Sequence, residues 1–189
     1  VDPETLNLSQ SALERAIDER RLDAVVGVHF AGVPLPQQVH ELCHATGIPL
    51  VEDAAHALGA TDHRGSVAGQ GTAGACYSFY ATKNLTSAEG GALATDDTAL
   101  AAFARSYRLH GLSKDAWARY LPGGRAGYDV VEPGIKANLP DVLAALARSQ
   151  LRRFDELQRQ RRVLVERYRS NPPEVAGLRL GPGGLDPRS

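Results

Sequence analysis

The spacing of apolar residues in the first quarter of the chain alternates between a helical and a strand-like pattern. Residues 9–20 begin with a serine that suits an N-cap and continue with apolar positions three and four apart. Residues 24–30, AVVGVHF, form a continuous apolar run that is typical of a buried parallel strand. A helix is predicted over residues 36–47, opened by proline and capped by glycine, and a second buried strand over residues 48–53. Strand, helix and strand make a βαβ unit, whose ligand site is expected at the carboxyl ends of the strands.

The remaining chain predicts three more strands, two helices and one long loop. In order, these are a strand at 75–80 (ACYSFY), a strand at 91–95 (GALAT), a helix capped by Asp96 that runs to about Leu109, a loop at 110–138, one long helix from Pro140 to about Ser170, and a strand at 177–180 (GLRL). The loop is rich in glycine and proline, and loops of this length are usually functional or disordered.

Composition and charge exclude several classes of protein. The formal net charge of -1 gives no basic excess, so neither nucleic acid nor an anionic membrane is an expected partner. No apolar run approaches the roughly 20 residues of a membrane helix. The first ten residues lack the pattern of a signal peptide, and the two cysteines give no disulfide framework. We therefore expect a soluble cytoplasmic protein.

Two motif matches indicate other kinds of binding site, and neither is adopted. Residues 40–44 match HExxH, in which two histidines one helical turn apart bind zinc. The alternative is a packed helix with both histidines, His40 and His44, near the surface, and no third ligand is evident downstream. We therefore predict no metal site. Residues 69–74 match GxGxxG, but a dinucleotide site needs a strand before the motif and a helix after it, and neither is predicted here.

Asp53, His56, Ser78 and Lys83 lie at or just after the ends of successive predicted strands. Taken singly, they read as a capping carboxylate, a packed histidine, a strand hydroxyl and a surface amine. Taken together, they meet the needs of pyridoxal phosphate (PLP), which requires a lysine for a Schiff base, a carboxylate facing the pyridine nitrogen, a hydrogen bond to the ring phenolate and hydroxyls for the phosphate. Ser78, with hydroxyls around Thr82 and Ser87, could serve the phosphate.

Four segments carry a family resemblance: VEDAAHALGA, SFYATKNLTSAEGGALATDD, LHGLSKDAW and PGIKANLPDVLAAL. In their order and spacing the chain resembles the DegT/DnrJ/StrS family of PLP-dependent sugar aminotransferases, over about residues 1–180. The resemblance implies an α/β fold of the aspartate-aminotransferase type, with part of the PLP-binding large domain and a mostly parallel sheet flanked by helices. Residues 1–135 would belong to that domain, including the long loop. Residues 136–189 would form a long helix and the start of a truncated C-terminal small domain.

The resemblance also implies roles for individual residues. Lys83 would be the Schiff-base lysine, Asp53 the partner of the pyridinium nitrogen and Ser78 a phosphate ligand. His56 stands at a position that the family fills with glutamine or histidine. Lys136 or Asn138 would contact the phosphate in the active site of a neighbouring subunit. The last role implies a homodimer with shared active sites.

The function implied by the resemblance is transfer of an amino group from an amino acid, commonly glutamate, to a nucleotide-linked keto sugar. Related dehydratases replace the lysine, so the presence of Lys83 disfavours that activity. Family chains are longer at both ends. The alternative is therefore a truncated, non-catalytic remnant, or one piece of a split aminotransferase that acts only with a partner chain.

Overall fold

The computed structural model describes residues 1–62, 65–66, 68–69, 71–112 and 129–171. Its elements follow the predicted alternation of helices and strands. In chain order they are α1 Gln10–Glu19, β1 Val25–Val28, a short 3-10 helix Phe30–Gly32, α2 Gln37–Thr46, β2 Leu50–Asp53, β3 Thr61–Asp62, β4 Gly65–Ser66, β5 Gly74–Ser78, β6 Gly91–Ala94, α3 Thr98–Tyr107, α4 Asp141–Leu151 and α5 Phe154–Ser170.

Four of the strands form one sheet in the order β1-β2-β5-β6. Strands β1, β2 and β5 are parallel, and β6 runs antiparallel to β5. The register pairs Val28 with Asp53, Asp53 with Cys76, and Ser78 with Gly91. The mostly parallel sheet is thus confirmed, and Asp53 lies at the carboxyl end of β2, where the βαβ rule places ligands.

Helices α1 and α2 cover one face of this sheet. Their packing forms a core that consists of Leu13, Val25, Val39, Cys43 and Leu50. A second core of small side chains lies behind β5 and consists of Ala54, Ala57, Ala60, Ala68 and Ala75, with Tyr77 packed against it. Helix α2 begins directly after Pro36 and ends at Gly47, which adopts the left-handed conformation of a helix cap as predicted.

The opposite face of the sheet is not covered by the residues that the structure describes. Strand β1 alternates between buried and exposed positions, and Val26 and Val28 are 66% and 41% exposed. Leu93 on β6 is also exposed. The expectation that β1 is buried on both faces is therefore wrong for the described chain, because helices pack against only one side of it.

The starts of helices α1 to α4 were predicted to within a residue, but two of the caps differ from the prediction. Ser9 precedes α1 without bonding its amides, and its hydroxyl instead lies 3.0 Å from the Ser11 hydroxyl. Asp97 caps α3 in place of Asp96, since its carboxylate accepts the Ala99 and Leu100 N–H groups at 2.8 and 3.0 Å.

The single long helix predicted for residues 140–170 is two helices, α4 and α5, separated at Arg152 and Arg153. Phe154, the first residue of α5, packs against Gly59, where a Cβ would lie only 2.6 Å from the ring. The break lets this ring reach the loop after β2. The predicted apolar face is not buried, since Val142 is 79% exposed and neither helix contains a buried residue.

Some predictions lie outside the described residues. They are most of the long loop, at 113–128, and the strand at 177–180. The division into domains at residue 135 stays a prediction. Among the helices of the described part, none is long and apolar enough to cross a membrane.

Candidate active site

Two of the predicted site residues, Asp53 and Ser78, line one pocket at the open face of the sheet. The pocket has a volume of about 310 Å³, and its walls come from β1, β2, β5 and the start of the loop after β2. Asp53 is paired with Cys76, and Ser78 lies two residues further along β5, so all three project from the same face. The volume falls within the range of small-molecule sites.

The backbone around Asp53 is fixed by both neighbouring strands. The Asp53 carbonyl accepts the His29 N–H at 3.0 Å, and the Ala54 N–H donates to the Cys76 carbonyl at 2.9 Å. One carboxylate oxygen, Oδ1, accepts the Ala55 N–H at 3.0 Å. The side chain is therefore oriented at the strand end, with lone pairs of the carboxylate available to a ligand.

Lys83 lies in the loop that joins β5 to β6. The Lys83 N–H donates to the Tyr80 carbonyl at 3.0 Å and closes a turn, while the Tyr80 N–H donates to Ser78 Oγ at 3.2 Å. A backbone bond from the Phe79 N–H to the Gly90 carbonyl joins the two ends of the loop at 2.8 Å. Lys83 is partly buried and does not line the pocket with Asp53.

Leu85 and Ser87 anchor this loop in the interior. Leu85 is 3% exposed and Ser87 is fully buried. The Ser87 hydroxyl donates to the Glu89 carbonyl at 2.8 Å, so its proton is used within the loop rather than offered to a phosphate. At Gly90 a Cβ would lie 2.7 Å from Leu139 Cδ1 and 2.9 Å from Ser87 Oγ, which explains the first glycine of the pair that follows the lysine.

The structure does not bring His56 into the pocket. It is exposed in the turn after Asp53, whose neighbours Ala54 and Ala57 are buried. The proposed bond to a ring phenolate stays a prediction.

Lys136 and Asn138 belong to a segment that runs beside the end of α3. Lys136 is exposed and pairs with Leu109, and Asn138 is partly buried. The segment approaches the lysine loop, because Leu139 packs over Gly90. Whether either side chain reaches a neighbouring subunit stays a prediction.

The most extensive polar network of the described residues was not predicted, and it centres on Glu52. Its side chain is fully buried, on the face of β2 opposite to Asp53. Oε1 lies 3.0 Å from Nε2 of both His29 and His40. Oε2 accepts the Gly69 N–H at 2.6 Å and the Thr72 hydroxyl at 3.0 Å.

Burial alone would raise the pKa of the Glu52 carboxyl. The hydrogen bonds from His29, His40 and Gly69 outweigh this effect and hold the pKa well below its usual range. Glu52 is therefore a buried carboxylate that stays ionised, and its four donors come from three different segments. A glutamate beside Asp53 in a strand predicted to be buried was the signal in the sequence, since the two side chains project to opposite faces and a charge on the buried face must find partners.

The two motifs set aside in the sequence both contribute to this network. His40 of the HExxH match bonds Glu52, whereas His44 is exposed. Gly69 of the GxGxxG match donates to the same carboxylate, and Gly74 begins β5 instead of a helix. The described residues contain no group of three or more His, Cys, Asp or Glu side chains placed to hold a metal ion.

The sequence profile of the DegT/DnrJ/EryC1/StrS aminotransferase family matches residues 1–180. The chain belongs to this family. Its curated relatives include the spore coat polysaccharide biosynthesis protein SpsC of Bacillus subtilis (strain 168), which is 41% identical over 179 residues, covering 94% of this chain and 46% of SpsC.

Solved structures of aminotransferases share the fold of this family member. DesI, determined in the presence of its TDP-sugar product, superposes with a TM-score of 0.76 at 34% identity, over 94% of this chain and 42% of DesI. The sugar aminotransferase Spr1654 from Streptococcus pneumoniae, in its PLP form, gives 0.75 at 29% identity, over 90% and 46% of the two chains. The chain therefore spans less than half the length of each of these proteins.

The family and its PLP-form relative indicate pyridoxal phosphate as the cofactor. The chemistry of the side chains fits this group. A carboxylate and a hydroxyl, Asp53 and Ser78, line one pocket of suitable size, and an amine, Lys83, follows Ser78 in an anchored loop. These three groups match a ring nitrogen, a phosphate and an aldehyde.

Proposed function

We propose that this chain forms part of a PLP-dependent aminotransferase that acts on a nucleotide-linked keto sugar. The observation that carries the proposal is the pocket shared by Asp53 and Ser78 at the carboxyl ends of the parallel strands, directly before the lysine loop. Parallel α/β sheets bind ligands at this edge. The family of the chain supports the reaction class.

Each residue has a defined task in this proposal. Bound pyridoxal phosphate supplies an electron sink for the pair of electrons left when a substrate carbon loses its proton. Asp53 holds a proton on the ring nitrogen, which strengthens that sink. Lys83 would hold the cofactor through its aldehyde, with loss of water, and its amine, when free, would be the base that carries a proton at the reacting carbons. Ser78 binds the phosphate, and His56 donates to or accepts from the ring oxygen.

The substrates and assembly are proposed from the relatives. DesI was solved with a TDP-sugar product, and SpsC is a protein of polysaccharide biosynthesis, which favours a nucleotide sugar as the amino acceptor. The proposed donor is an amino acid, glutamate. We further propose a cytoplasmic homodimer in which Lys136 or Asn138 contacts the phosphate bound by the neighbouring subunit.

The direct test is covalent capture of the cofactor. PLP is added to the purified full-length polypeptide that carries these residues, the visible absorbance is recorded, and borohydride is used to fix the adduct. Peptide mass spectrometry is expected to find the modification on Lys83 and not on Lys114 or Lys136. Lys83→Ala should lose it and the matched Lys114→Ala should retain it. A folded protein with no adduct on Lys83 would overturn the proposal.

The alternative, a chain that acts only with a partner chain, has one observation in its favour. Apolar side chains at Val26, Val28 and Leu93 are exposed on the same face of the sheet as Asp53. Uncovered apolar surface of this kind promotes association. Size-exclusion chromatography of residues 1–189, alone and with a candidate complementing chain, distinguishes the two: a stable complex that gains PLP binding would favour the alternative.

A further inference from the structure

Three separate segments of the chain meet β2 at the carboxylate of Glu52. His29 follows β1, His40 lies on α2, and Gly69 and Thr72 belong to the loop that leads into β5. Hydrogen bonds to a buried ionised group are roughly twice as strong as neutral ones. The carboxylate thus joins the elements that surround the strand end at which Asp53 is placed.

His29 connects this carboxylate directly to Asp53. Its Nδ1 accepts the Leu35 N–H at 3.1 Å, so the ring proton lies on Nε2 and is donated to Glu52 Oε1 at 3.0 Å. The backbone N–H of the same residue donates to the Asp53 carbonyl at 3.0 Å. One histidine therefore holds the side chain of residue 52 and the backbone of residue 53.

Neighbouring residues of a strand project to opposite faces, so a rotation of the strand end turns both side chains together. Locking Glu52 on the buried face therefore fixes the direction of Asp53 on the open face. The donors Gly69 and Thr72 lead into β5, which ends at Ser78, so the same carboxylate also ties the start of β5 to the strand that carries Asp53.

We propose that Glu52 is a positioning residue for the cofactor site, which orients Asp53 and Ser78 through the buried network that it forms with His29, His40, Gly69 and Thr72. The inference rests on the proposed function, since it gives Asp53 and Ser78 their roles toward pyridoxal phosphate. In this proposal the network does more than stabilise the fold, because it keeps Asp53 and Ser78 in one geometry relative to each other.

Two substitutions disturb the network to different degrees. Glu52→Gln keeps the shape of the side chain but places an NH₂ group against donors, whichever way the amide turns. His40→Leu removes one donor at a partly exposed helix position, where folding is expected to survive. The matched controls on the same helix are His44→Leu and Glu41→Gln, both at exposed positions.

The test separates positioning from stability in the full-length polypeptide. Urea unfolding of the cofactor-free form first shows that each variant is folded under the assay conditions. PLP affinity is then measured by titration, and the visible circular dichroism of the bound cofactor reports its orientation. We expect His40→Leu to weaken PLP binding about tenfold and to alter the dichroic band, by analogy with the hydrogen-bond partners that orient metal ligands, whose loss typically costs about 10–100-fold. Glu52→Gln should have the larger effect and the controls none.

The result that would overturn the role of Glu52 differs from the result that would overturn the proposed function. Folded His40→Leu protein with the affinity and dichroism of the wild type would overturn the positioning role, and a loss confined to unfolding stability would do the same. A wild-type protein that does not bind PLP would overturn the proposed function, and with it this inference.

Discussion

A methyl group at Gly59 has no room beside α5, and Gly59→Ala is expected to be among the more damaging small substitutions in the chain. The Cβ would lie 2.6 and 2.7 Å from Cε1 and Cζ of Phe154, and the residue has a φ of +80°. The left-handed backbone costs alanine about 1 kcal/mol. Displacing the ring from its site costs about 2 kcal/mol more, as overpacking typically does. The expected loss of unfolding free energy is about 3 kcal/mol.

Gly47→Ala is the matched control for the backbone contribution. Gly47 caps α2 with a φ of +68°, and no atom lies within 4 Å of the place that a Cβ would take there. Alanine at this position should cost only the left-handed conformation, about 1 kcal/mol. The difference between the two variants isolates the contact between Gly59 and Phe154.

Urea unfolding followed by far-UV circular dichroism measures both losses. A double-mutant cycle with Phe154→Ala sharpens the result, because Gly59→Ala should cost only about 1 kcal/mol once the ring is gone. If Gly59→Ala destabilises no more than Gly47→Ala, or if its effect is the same with and without the ring, the reasoning is refuted. The break between α4 and α5 would then need another cause.

Three further predictions concern the α3 cap, Glu52 and the cysteines. Asp97→Ala should cost about 1 kcal/mol in urea unfolding by removing the α3 cap, and Asp96→Ala should cost much less. The folded-state pKa of Glu52 lies below its unfolded value, so the stabilisation from this carboxylate is present above about pH 4.5 and is lost as the pH falls. Glu52→Gln should therefore reduce the slope of unfolding free energy against pH in acid by up to about 1.4 kcal/mol per pH unit, and an unchanged slope would contradict this prediction. In native protein a thiol reagent should modify the exposed Cys76 and spare the buried Cys43. The rate should keep rising to a higher pH than for an ordinary thiol, because burial and the neighbouring Asp53 carboxylate raise the pKa of Cys76 and the thiolate is the reactive form.

The order of elements and the parallel sheet could be predicted because local patterns decide them. Apolar runs of strand length, a proline at a helix start and Gly47 at a helix end each have one simple structural reading. Other features escaped this reasoning. The open face of β1 depends on what packs against it, and the contact of Phe154 with Gly59 joins residues that are distant in sequence, so neither can be predicted from a local pattern.

The candidate site likewise contains residues whose placement could be predicted from the sequence and residues whose placement could not. Asp53 and Ser78 were predicted from their position near strand ends, and the structure places them around one pocket. Lys83 was predicted from its place just after a strand and from the family resemblance, and its loop is anchored in the interior. His56, which is exposed, could not be placed from the sequence because the direction of a side chain in a turn depends on backbone angles that the residue type does not determine.

Glu52 shows why two motif matches arose without their usual chemistry. A carboxylate buried in an apolar strand is stable only if donors surround it, and the fold draws those donors from whatever segments pack nearby. Here one is a histidine of the HExxH pattern and another is a glycine amide of the GxGxxG pattern. Both residues are therefore constrained by a partner that neither motif includes. A substitution at His40 would accordingly disturb Glu52, and through it the strand end that carries Asp53.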